Sequence, residues 1–312
     1  MRRKATEFVR VRDIDPSVLQ PPFSFSLARA VTGPYRPNGA KYIGVHLAPH
    51  DVRDFFPTAI VDETTPDKAD HEGKLMVQGG TQYGCSARTC SFCVFTPLCY
   101  HRDLERDEIV DLFRAPLYLH SKGHEHVEDN RRLVLKFTDN GEPLESPVLL
   151  QAMDKVVELF GKPKKTLLLK VSTVLSNKEV TRETFRKLLE WQKRNRDKAS
   201  VHLQISRVIP DKKLISPHEV ADIVRQWVDA NPHDQICIAP GLVKGYDEKE
   251  FREFCEALKP VARHCFFRLS VIKPSTRRQE ENVLDEKHMA AVNERIKKMG
   301  FKTNNIFSIG KI

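Results

Sequence analysis

The sequence lacks any apolar run that approaches the about 18–20 residues a membrane-spanning helix needs. Its first residues, MRRKATEFVRVRDIDP, are basic, but the apolar stretch that a secretory signal requires does not follow them. Low-complexity tracts and long arginine runs are also missing, because the basic residues are scattered along the chain. These absences predict a cytoplasmic protein that has no membrane partner.

Basic residues outnumber acidic residues, and the formal net charge of the chain is +9. Such an excess favours a polyanionic partner, which could be RNA, DNA or a phosphorylated substrate. A solvated basic surface would give the same count. Charge alone leaves both interpretations open.

The chain has seven cysteines, and this odd number, together with the missing signal, argues against a framework of secreted disulfides. In a reducing compartment, clustered cysteines are more often metal ligands. Three of them, Cys85, Cys90 and Cys93, have the spacing C-x4-C-x2-C. Because thiolates bind iron–sulfur clusters or zinc, three ligands suit a cluster with one iron left open for a substrate or cofactor.

Two other kinds of metal centre remain open from the spacing. Cys99 or His101 would complete a four-ligand zinc site. The same spacing also begins the plant-type ferredoxin motif, but that motif needs a further cysteine downstream, and the next one after Cys99 is Cys237. A zinc-stabilised nucleic-acid-binding protein without radical chemistry and an electron carrier therefore stand as alternatives to the open cluster.

Apolar, β-favouring runs alternate with helical patterns from residue 74 onward. Six runs predict strands, over residues 74–78, 132–138, 166–173, 200–206, 235–240 and 265–272. Helices are expected over residues 146–161, 181–195, 216–231, 247–261 and 285–300, with Thr181 and Asp247 as N-caps. Strands separated by helices imply parallel pairing through right-handed crossovers. We expect an α/β fold: a partial (β/α)6 TIM-like barrel of parallel strands over residues 74–312, with a C-terminal extension, after an N-terminal accessory region over residues 1–73.

Ligands of such sheets bind at the carboxyl ends of the strands, and small or polar residues stand there in this sequence. Gly141 and Glu142 follow the second strand, where a backbone carbonyl and a carboxylate could accept hydrogen bonds from an ammonium group. Ser172 and Thr173, at the end of the third strand, offer hydroxyl groups. A plain turn and a helix cap are the alternative readings of these two segments.

The next two strands end in the same way. Ser206 and Arg207 end the fourth strand, and a guanidinium group there could clamp a carboxylate or form a surface salt bridge. Val243 follows the fifth strand between two glycines. This segment could be a backbone shelf for a flat ring, or a plain loop before a helix.

Taken together, these segments resemble the radical S-adenosylmethionine enzymes over roughly residues 74–300. CSARTCSFC is similar to the family's cluster motif, including an aromatic residue, Phe92, before the last cysteine. DNGEP is similar to its Gly-Glu motif, and GLVKGYDE to its G-x-I-x-G-x-x-E motif with Val in place of Ile. The family's usual core is a partial six-strand barrel. The sequence departs from the family in having four residues, rather than three, between its first two cluster cysteines.

Within this family, the chain is most similar to the adenosine C2 methyl synthases that act on ribosomal and transfer RNA. The similarity lies in LMVQGGTQYGCSARTCSFC, FTDNGEPLESP, VSTVLSN and LSVIKPS. Those enzymes need two further cysteines, but this chain has Val77 and Gln78 at one place and none in TNNIFSIGKI at the other. Lys273 also stands where their strand-six asparagine would be. We therefore expect a relative of that branch with different chemistry.

The resemblance implies a [4Fe–4S] cluster held by Cys85, Cys90 and Cys93, whose fourth iron binds the amino and carboxylate groups of S-adenosylmethionine. A reductant such as flavodoxin or ferredoxin would supply the electron that cleaves this cofactor. The 5′-deoxyadenosyl radical formed would take a hydrogen atom from the substrate, for which RNA or a nucleotide is the expected class.

The resemblance also assigns roles to the other residues. Phe92 and Val243 would contact adenine, and Gly141 and Glu142 would hold the methionine amine. Ribose and carboxylate contacts would come from the hydroxyl-bearing residues and the arginine at the strand ends: Ser172, Thr173, Ser206 and Arg207. Cys99 and Arg207 are the candidate catalytic residues, with Cys99 open as an idle thiol, a fourth ligand or a hydrogen-atom donor.

Overall fold

The structure is a computed structural model of the 312-residue chain. It describes residues 7–34, 41–48, 56–62, 73–87, 100–122, 129–138, 141–208, 214–231, 234–242, 246–271, 284, 286–303 and 307–308.

The described part of the chain contains the following strands and helices. The strands are β1 (Ser26–Pro34), β2 (Lys41–Ala48), β3 (Phe56–Asp62), β4 (Lys74–Gly79), β5 (Gln82–Tyr83), β6 (Arg102–Asp103), β7 (Arg132–Phe137), β8 (Leu167–Thr173), β9 (Ala199–Val208), β10 (Ile236–Gly241), β11 (Cys265–Phe267), β12 (Ser270–Val271), β13 (Lys302–Thr303) and β14 (Phe307–Ser308). The helices are α1 (Arg106–Ser121), α2 (Leu149–Phe160), α3 (Glu179–Asn195), α4 (Pro217–Ala230), α5 (Glu248–Leu258) and α6 (Glu286–Lys298).

Ten of the strands form one sheet in the order β1-β2-β3-β4-β7-β8-β9-β10-β11-β13. The strands β1 to β4 pair antiparallel, and every pairing from β4 to β13 is parallel. Helices connect most of the parallel strands, as the alternation in the sequence predicts. The α/β class is therefore confirmed. The sheet is open, and its closure into a partial barrel stays a prediction.

The two faces of the parallel sheet carry different residues, because successive side chains in a strand point to opposite sides. In β8, the buried Leu167, Leu169 and Val171 belong to the main core, which also takes in the apolar faces of the helices. The intervening residues of β8, namely Leu168, Lys170 and Ser172, point to the other face. That face combines a small apolar cluster of Met76, Val134 and Leu168 with polar and basic side chains.

The five predicted helices correspond to α2 to α6, but several ends differ: α2 begins at Leu149 rather than at residue 146, and α5 ends at Leu258 rather than at residue 261. Asp247 caps α5, since its carboxylate accepts from the backbone N–H groups of Lys249 and Glu250. The prediction of Thr181 as an N-cap is wrong, because α3 begins at Glu179 and its N-cap is Lys178. Thr181 is buried inside the first turn, where its hydroxyl lies 2.7 Å from the hydroxyl of Ser176.

The six expected strands are present, with differences at both ends of the sheet. The run over residues 265–272 is divided between β11 and β12, and β12 pairs with β14 rather than with the main sheet. A seventh parallel strand, β13, pairs with β11; it has only two residues, too few to show a period in the sequence. The helix α1 was not predicted. It contains Pro116, and its polar and apolar residues are present in similar numbers, so no helical period is evident.

The N-terminal region contributes strands to the same sheet as the rest of the chain. The segment expected to be an N-terminal accessory region contains β1, β2 and β3, and β3 pairs with β4 from Ala59 beside Gln78 to Asp62 beside Leu75. The sheet therefore continues across the predicted domain boundary at residue 73. None of the helices in the described part of the chain is long and apolar enough to cross a membrane.

Candidate functional site

The parallel pairing brings the carboxyl ends of β4, β7 and β8 to one edge of the sheet, which we call the carboxyl edge. The loops that follow these strands contain Cys85, Glu142 and Val174, and hydrogen bonds join the loops to one another. Most of the joining groups are buried, so these bonds fix the shape of the edge.

Gln82 is the side chain that joins the first two loops. Its Oε1 accepts from the backbone N–H of Glu142 at 3.1 Å, and from the backbone N–H and hydroxyl of Ser86 at 3.1 and 2.9 Å. Its Nε2 donates to Oδ1 of Asp103 at 2.8 Å. Only 1% of Gln82 is exposed. Sequence reasoning missed this residue, because a glutamine two places before a glycine carries no motif signal of its own.

Gly141 allows the second loop to approach Gln82 closely. Its φ angle is +100°, a conformation that favours glycine. A Cβ atom added at this position would lie 2.7 Å from Cβ of Gln82 and 2.9 Å from its backbone nitrogen. The close approach expected of this glycine is thus made to Gln82, and its contact with a ligand stays a prediction.

The carboxylate of Glu142 is buried and joins the second loop to the third. It accepts from the hydroxyl of Thr173 at 2.5 Å and from the backbone N–H groups of Val174 and Leu144 at 2.8 and 3.2 Å. Burial raises the pKa of Glu142 to about 7, and the nearby charge of Glu145 adds to this rise. These hydrogen bonds act in the opposite direction, because they favour the ionised form.

Thr173 makes both of its hydroxyl contacts inside the protein. Besides donating to Glu142, its Oγ1 accepts from the backbone N–H of Leu175 at 2.9 Å. In β8 its side chain lies on the side of the sheet opposite to that of its neighbour Ser172. The structure therefore gives Thr173 a positioning contact, and its contact with a cofactor stays a prediction.

Glu145 forms a second connection between the three loops. Its carboxylate accepts from the hydroxyls of Ser86 and Ser176, at 2.7 and 2.5 Å, and forms an ion pair with Lys178. Glu145 was not among the predicted site residues, although it lies three positions after Glu142. Two acidic residues of one short loop thus connect neighbouring loops, one to Thr173 and the other to Ser86 and Ser176.

Ser172 and Ser206 lie on the face of the sheet that the helices do not cover. Ser172 is only 9% exposed, and its Oγ has no hydrogen-bond partner among the described residues. It stands beside Gln204 in the sheet register, and Nε2 of Gln204 donates to the hydroxyl of Ser206 at 3.2 Å. The two predicted serines are therefore on neighbouring strands near the same edge.

Of the predicted metal ligands, the structure describes Cys85. It packs against a small apolar cluster of Ala87, Val174 and Leu214, so it lies beside the loop after β8. The other predicted residues of this segment, and further ones along the chain, lie outside the described residues: Cys90, Phe92, Cys93, Cys99, Val243 and the side chain of Arg207.

Within the part of the chain that the structure describes, no three His, Cys, Asp or Glu side chains are grouped to hold a metal ion. No protein-family model and no curated protein sequence matches this chain. What the carboxyl edge binds is therefore inferred from its own residues.

His101, the alternative zinc ligand, lies close to the cysteine segment. Its ring centroid is 4.9 Å from that of Tyr83, and its backbone N–H donates to the carbonyl of Tyr83 at 2.9 Å. The chain thus returns to within two residues of Cys85 after the segment 88–99.

Proposed function

We propose that this chain is a radical S-adenosylmethionine enzyme whose carboxyl edge, on a partial (β/α)6 barrel, holds a [4Fe–4S] cluster and S-adenosylmethionine. Cys85, Cys90 and Cys93 would ligate the cluster. One observation carries the proposal: hydrogen bonds through Gln82, Glu142 and Thr173 join the loop of Cys85 to the loops after β7 and β8. Three segments that resemble separate motifs of one family are thereby assembled around one edge.

The environment of Glu142 suits a ligand that carries an ammonium group. Its carboxylate is buried and accepts from neutral donors, while the nearest acidic neighbour, Glu145, takes the ammonium of Lys178. A carboxylate whose pKa is raised to about 7 gains by pairing with a cation, since an opposite charge favours its ionised form. The methionine amine of S-adenosylmethionine is such a cation.

The hydroxyl of Ser172 is the second feature that suits this cofactor. A buried polar atom without a partner costs free energy, about 1–3 kcal/mol, and such atoms are rare in folded proteins. A ribose hydroxyl or a carboxylate bound at the edge would give Oγ of Ser172 a partner. Ser206, on the neighbouring strand, would supply a second contact.

The chain's own residues have binding and positioning roles in this proposal. Glu142 binds the amine, and Thr173 and Gln82 hold Glu142 in place. Ser172, Ser206 and Arg207 bind the ribose and carboxylate, and Phe92 and Val243 border the adenine. When bound, the cluster supplies the electron for reductive cleavage of S-adenosylmethionine and so for hydrogen abstraction from substrate.

The substrate and the reductant belong to the same proposal. The net charge of +9 and the similarity to RNA-modifying enzymes favour RNA or a nucleotide as substrate. A flavodoxin or a ferredoxin would be the electron donor. Because the two further cysteines of the methyl synthases are missing, we propose a reaction that does not pass through a methylated cysteine.

The test compares cofactor binding by variants of two serines on one face of the sheet, Ser172 near the carboxyl ends of the strands and Ser200 near their amino-terminal ends. The affinity of the anaerobically reconstituted protein for S-adenosylmethionine is measured by calorimetry for the wild type, Ser172→Ala and Ser200→Ala. Ser200 is the matched control, because it stands beside Leu168 on the same face but near the other end of the strands.

We expect saturable binding by the wild type and about a fivefold weaker affinity for Ser172→Ala, since a hydrogen bond contributes about 1 kcal/mol. Ser200→Ala is expected to bind as the wild type does. Absence of saturable binding by the wild type would overturn the proposal. Equal affinities of the wild type and Ser172→Ala would remove Ser172 from the site.

A further inference from the structure

A groove of about 540 Å³ lies on the face of the sheet that the helices do not cover. We call it the basic groove, and its described lining residues are Lys74, Val134, Leu168, Lys170, His202, Leu203, Gln204, Asp234, Gln235, Cys237, Phe266 and Arg268. Lys74 is the first residue of β4, Leu168 is the second of β8, and Gln235 directly precedes β10. The groove therefore extends from the amino-terminal ends of β4 and β8 to the level of Gln204, which stands beside Ser172 and donates to the hydroxyl of Ser206.

The groove has an excess of positive charge. Lys74, Lys170 and Arg268 carry permanent charges at neutral pH, and Asp234 is the one carboxylate among the described lining residues. Asp234 is already engaged, since its Oδ1 lies 3.1 Å from Nδ1 of His202 and its Oδ2 accepts from the indole N–H of Trp227 at 2.9 Å. Neither Lys74 nor Arg268 forms an ion pair with any residue in the described ranges.

Cys237 is another lining residue of the groove, beside Gln204 and Phe266 in the sheet register. Burial raises the pKa of the Cys237 thiol, and the positive charges of Arg268, Lys136 and Lys170 oppose this rise. Cationic side chains from three separate strands or strand ends are thus close enough to influence one thiol.

The groove also has apolar walls. Val134 and Leu168 belong to an apolar cluster that Phe8 covers from the N-terminal segment, and the half-buried ring of Phe266 faces the same space. Small-molecule sites commonly combine about 300–1,000 Å³ of space, an apolar lining and a few placed polar groups. Lysine and arginine groups are the usual ligands of phosphate.

We propose that the basic groove binds a small phosphorylated molecule, with its phosphate at Lys74, Lys170 and Arg268 and its apolar part against Leu168 and Phe266. The groove adjoins the carboxyl edge at Gln204, but the phosphate contacts proposed for it do not depend on the function proposed there. The groove gives the chain a second ligand, of nucleotide size, on the face of the sheet that carries Lys74 and Lys170.

The test measures binding of uridine 5′-monophosphate to the full chain by calorimetry in about 0.15 M salt, without cluster reconstitution. The variants Lys74→Met and Arg268→Met remove groove charges that form no ion pair with the residues the structure describes. Lys187→Met is the matched control, because it removes an exposed lysine of α3 that pairs with Glu183. Binding by Ser172→Ala tests whether the carboxyl edge contributes to the affinity. Binding of uridine, which has no phosphate, measures the contribution of the phosphate.

We expect saturable binding by the wild type, about tenfold weaker binding by each groove variant, and unchanged binding by Lys187→Met and Ser172→Ala. Uridine is expected to bind at least tenfold more weakly than its monophosphate. The proposal is overturned if the wild type shows no saturable binding or if Lys187→Met loses as much affinity as the groove variants. Loss on Ser172→Ala, or binding of single-stranded RNA alone, would also overturn it.

Discussion

Thr173 donates its hydroxyl to the buried carboxylate of Glu142 at 2.5 Å, and this contact joins the ends of β7 and β8. The backbone N–H of Val174 donates to the other carboxylate oxygen at 2.8 Å. Because Glu142 is also bound through its own N–H to Gln82, the pair is tied to the loop that contains Cys85. A substitution at Thr173 should therefore also alter the position of the loop that contains Cys85.

The first prediction concerns the hydroxyl of Thr173. Thr173→Val keeps the shape but removes one of the two donors to Oε1 of Glu142, which keeps the N–H of Leu144, and it removes the acceptor of the N–H of Leu175. We expect its free energy of unfolding to fall by about 1–3 kcal/mol, measured by urea denaturation. Thr173→Ser is the control, since it keeps the hydroxyl and loses one methyl group, for which we expect about 1 kcal/mol or less. Equal losses in both variants would contradict a role for the hydroxyl.

The second prediction concerns the pH dependence of stability. Burial raises the pKa of Glu142 to about 7 from the ordinary value of 4.5, so the folded state binds this proton more tightly than the unfolded state does. Its stabilising contribution is therefore fully present below about pH 4.5 and is lost as the pH rises through 7. The loss is on the order of 3 kcal/mol if the full shift applies.

The measurement compares unfolding of the wild type and Glu142→Gln by denaturant between pH 4.5 and 7, the range set by the two pKa values. The glutamine cannot ionise, so the stability of the wild type relative to the variant should decline across this range. A constant difference between the two proteins would show that Glu142 does not titrate there.

The third prediction concerns the contact between Gly141 and Gln82. Gly141→Ala adds a Cβ that would meet Gln82 at 2.7 Å, in a backbone conformation with φ of +100°. Gly300→Ala is the matched control, because its φ is +90° and a Cβ there would meet no atom within 4 Å. Both variants should lose about 1–2 kcal/mol from the backbone conformation. We expect Gly141→Ala to lose at least a further 1 kcal/mol from overpacking, and similar thermal stabilities would argue against the close approach.

The fourth prediction concerns the cysteines and follows from the proposed function. Cys85→Ala, Cys90→Ala and Cys93→Ala should each abolish or strongly reduce iron incorporation on anaerobic reconstitution. Cys255→Ala is the control for loss of a thiol, since Cys255 is buried in the main core and burial raises its pKa to about 12. Cys99→Ala should retain iron. Bound zinc that disappears in Cys99→Ala would instead support the four-ligand zinc site.

The period of apolar residues was enough to predict most of the parallel sheet. The runs that begin at Lys74, Arg132 and Leu167 are strands because they bury one or both faces, and burial leaves a clear pattern in the sequence. Short strands such as β13 leave no such pattern, since their pairing depends on a neighbour that folds beside them. The helix α1 was not predicted because Pro116 lies within it, and a proline inside a segment normally indicates a helix break.

Some residues of the candidate site could be singled out from the sequence, because their residue type and their place after a strand indicate a role. Gly141 and Glu142 stood out because they follow a predicted strand, at the end where ligands of parallel sheets bind, and because DNGEP is similar to a known Gly-Glu motif. Gln82 and Glu145 could not be predicted, since their value lies in hydrogen bonds to loops distant in sequence. The contact of Thr173 with Glu142 also joins residues distant in sequence. Successive residues of a strand point to opposite faces, so Thr173 cannot share the surroundings of Ser172.

The most direct test of the central claim is the EPR spectrum of the reduced, anaerobically reconstituted protein with and without S-adenosylmethionine, followed by assay for 5′-deoxyadenosine. A radical S-adenosylmethionine enzyme should give a [4Fe–4S] signal that changes when the cofactor is added, with 5′-deoxyadenosine as a product. A protein that contains zinc and gives no cluster signal would contradict the proposed function, and so would a cluster whose signal is unaffected by the cofactor.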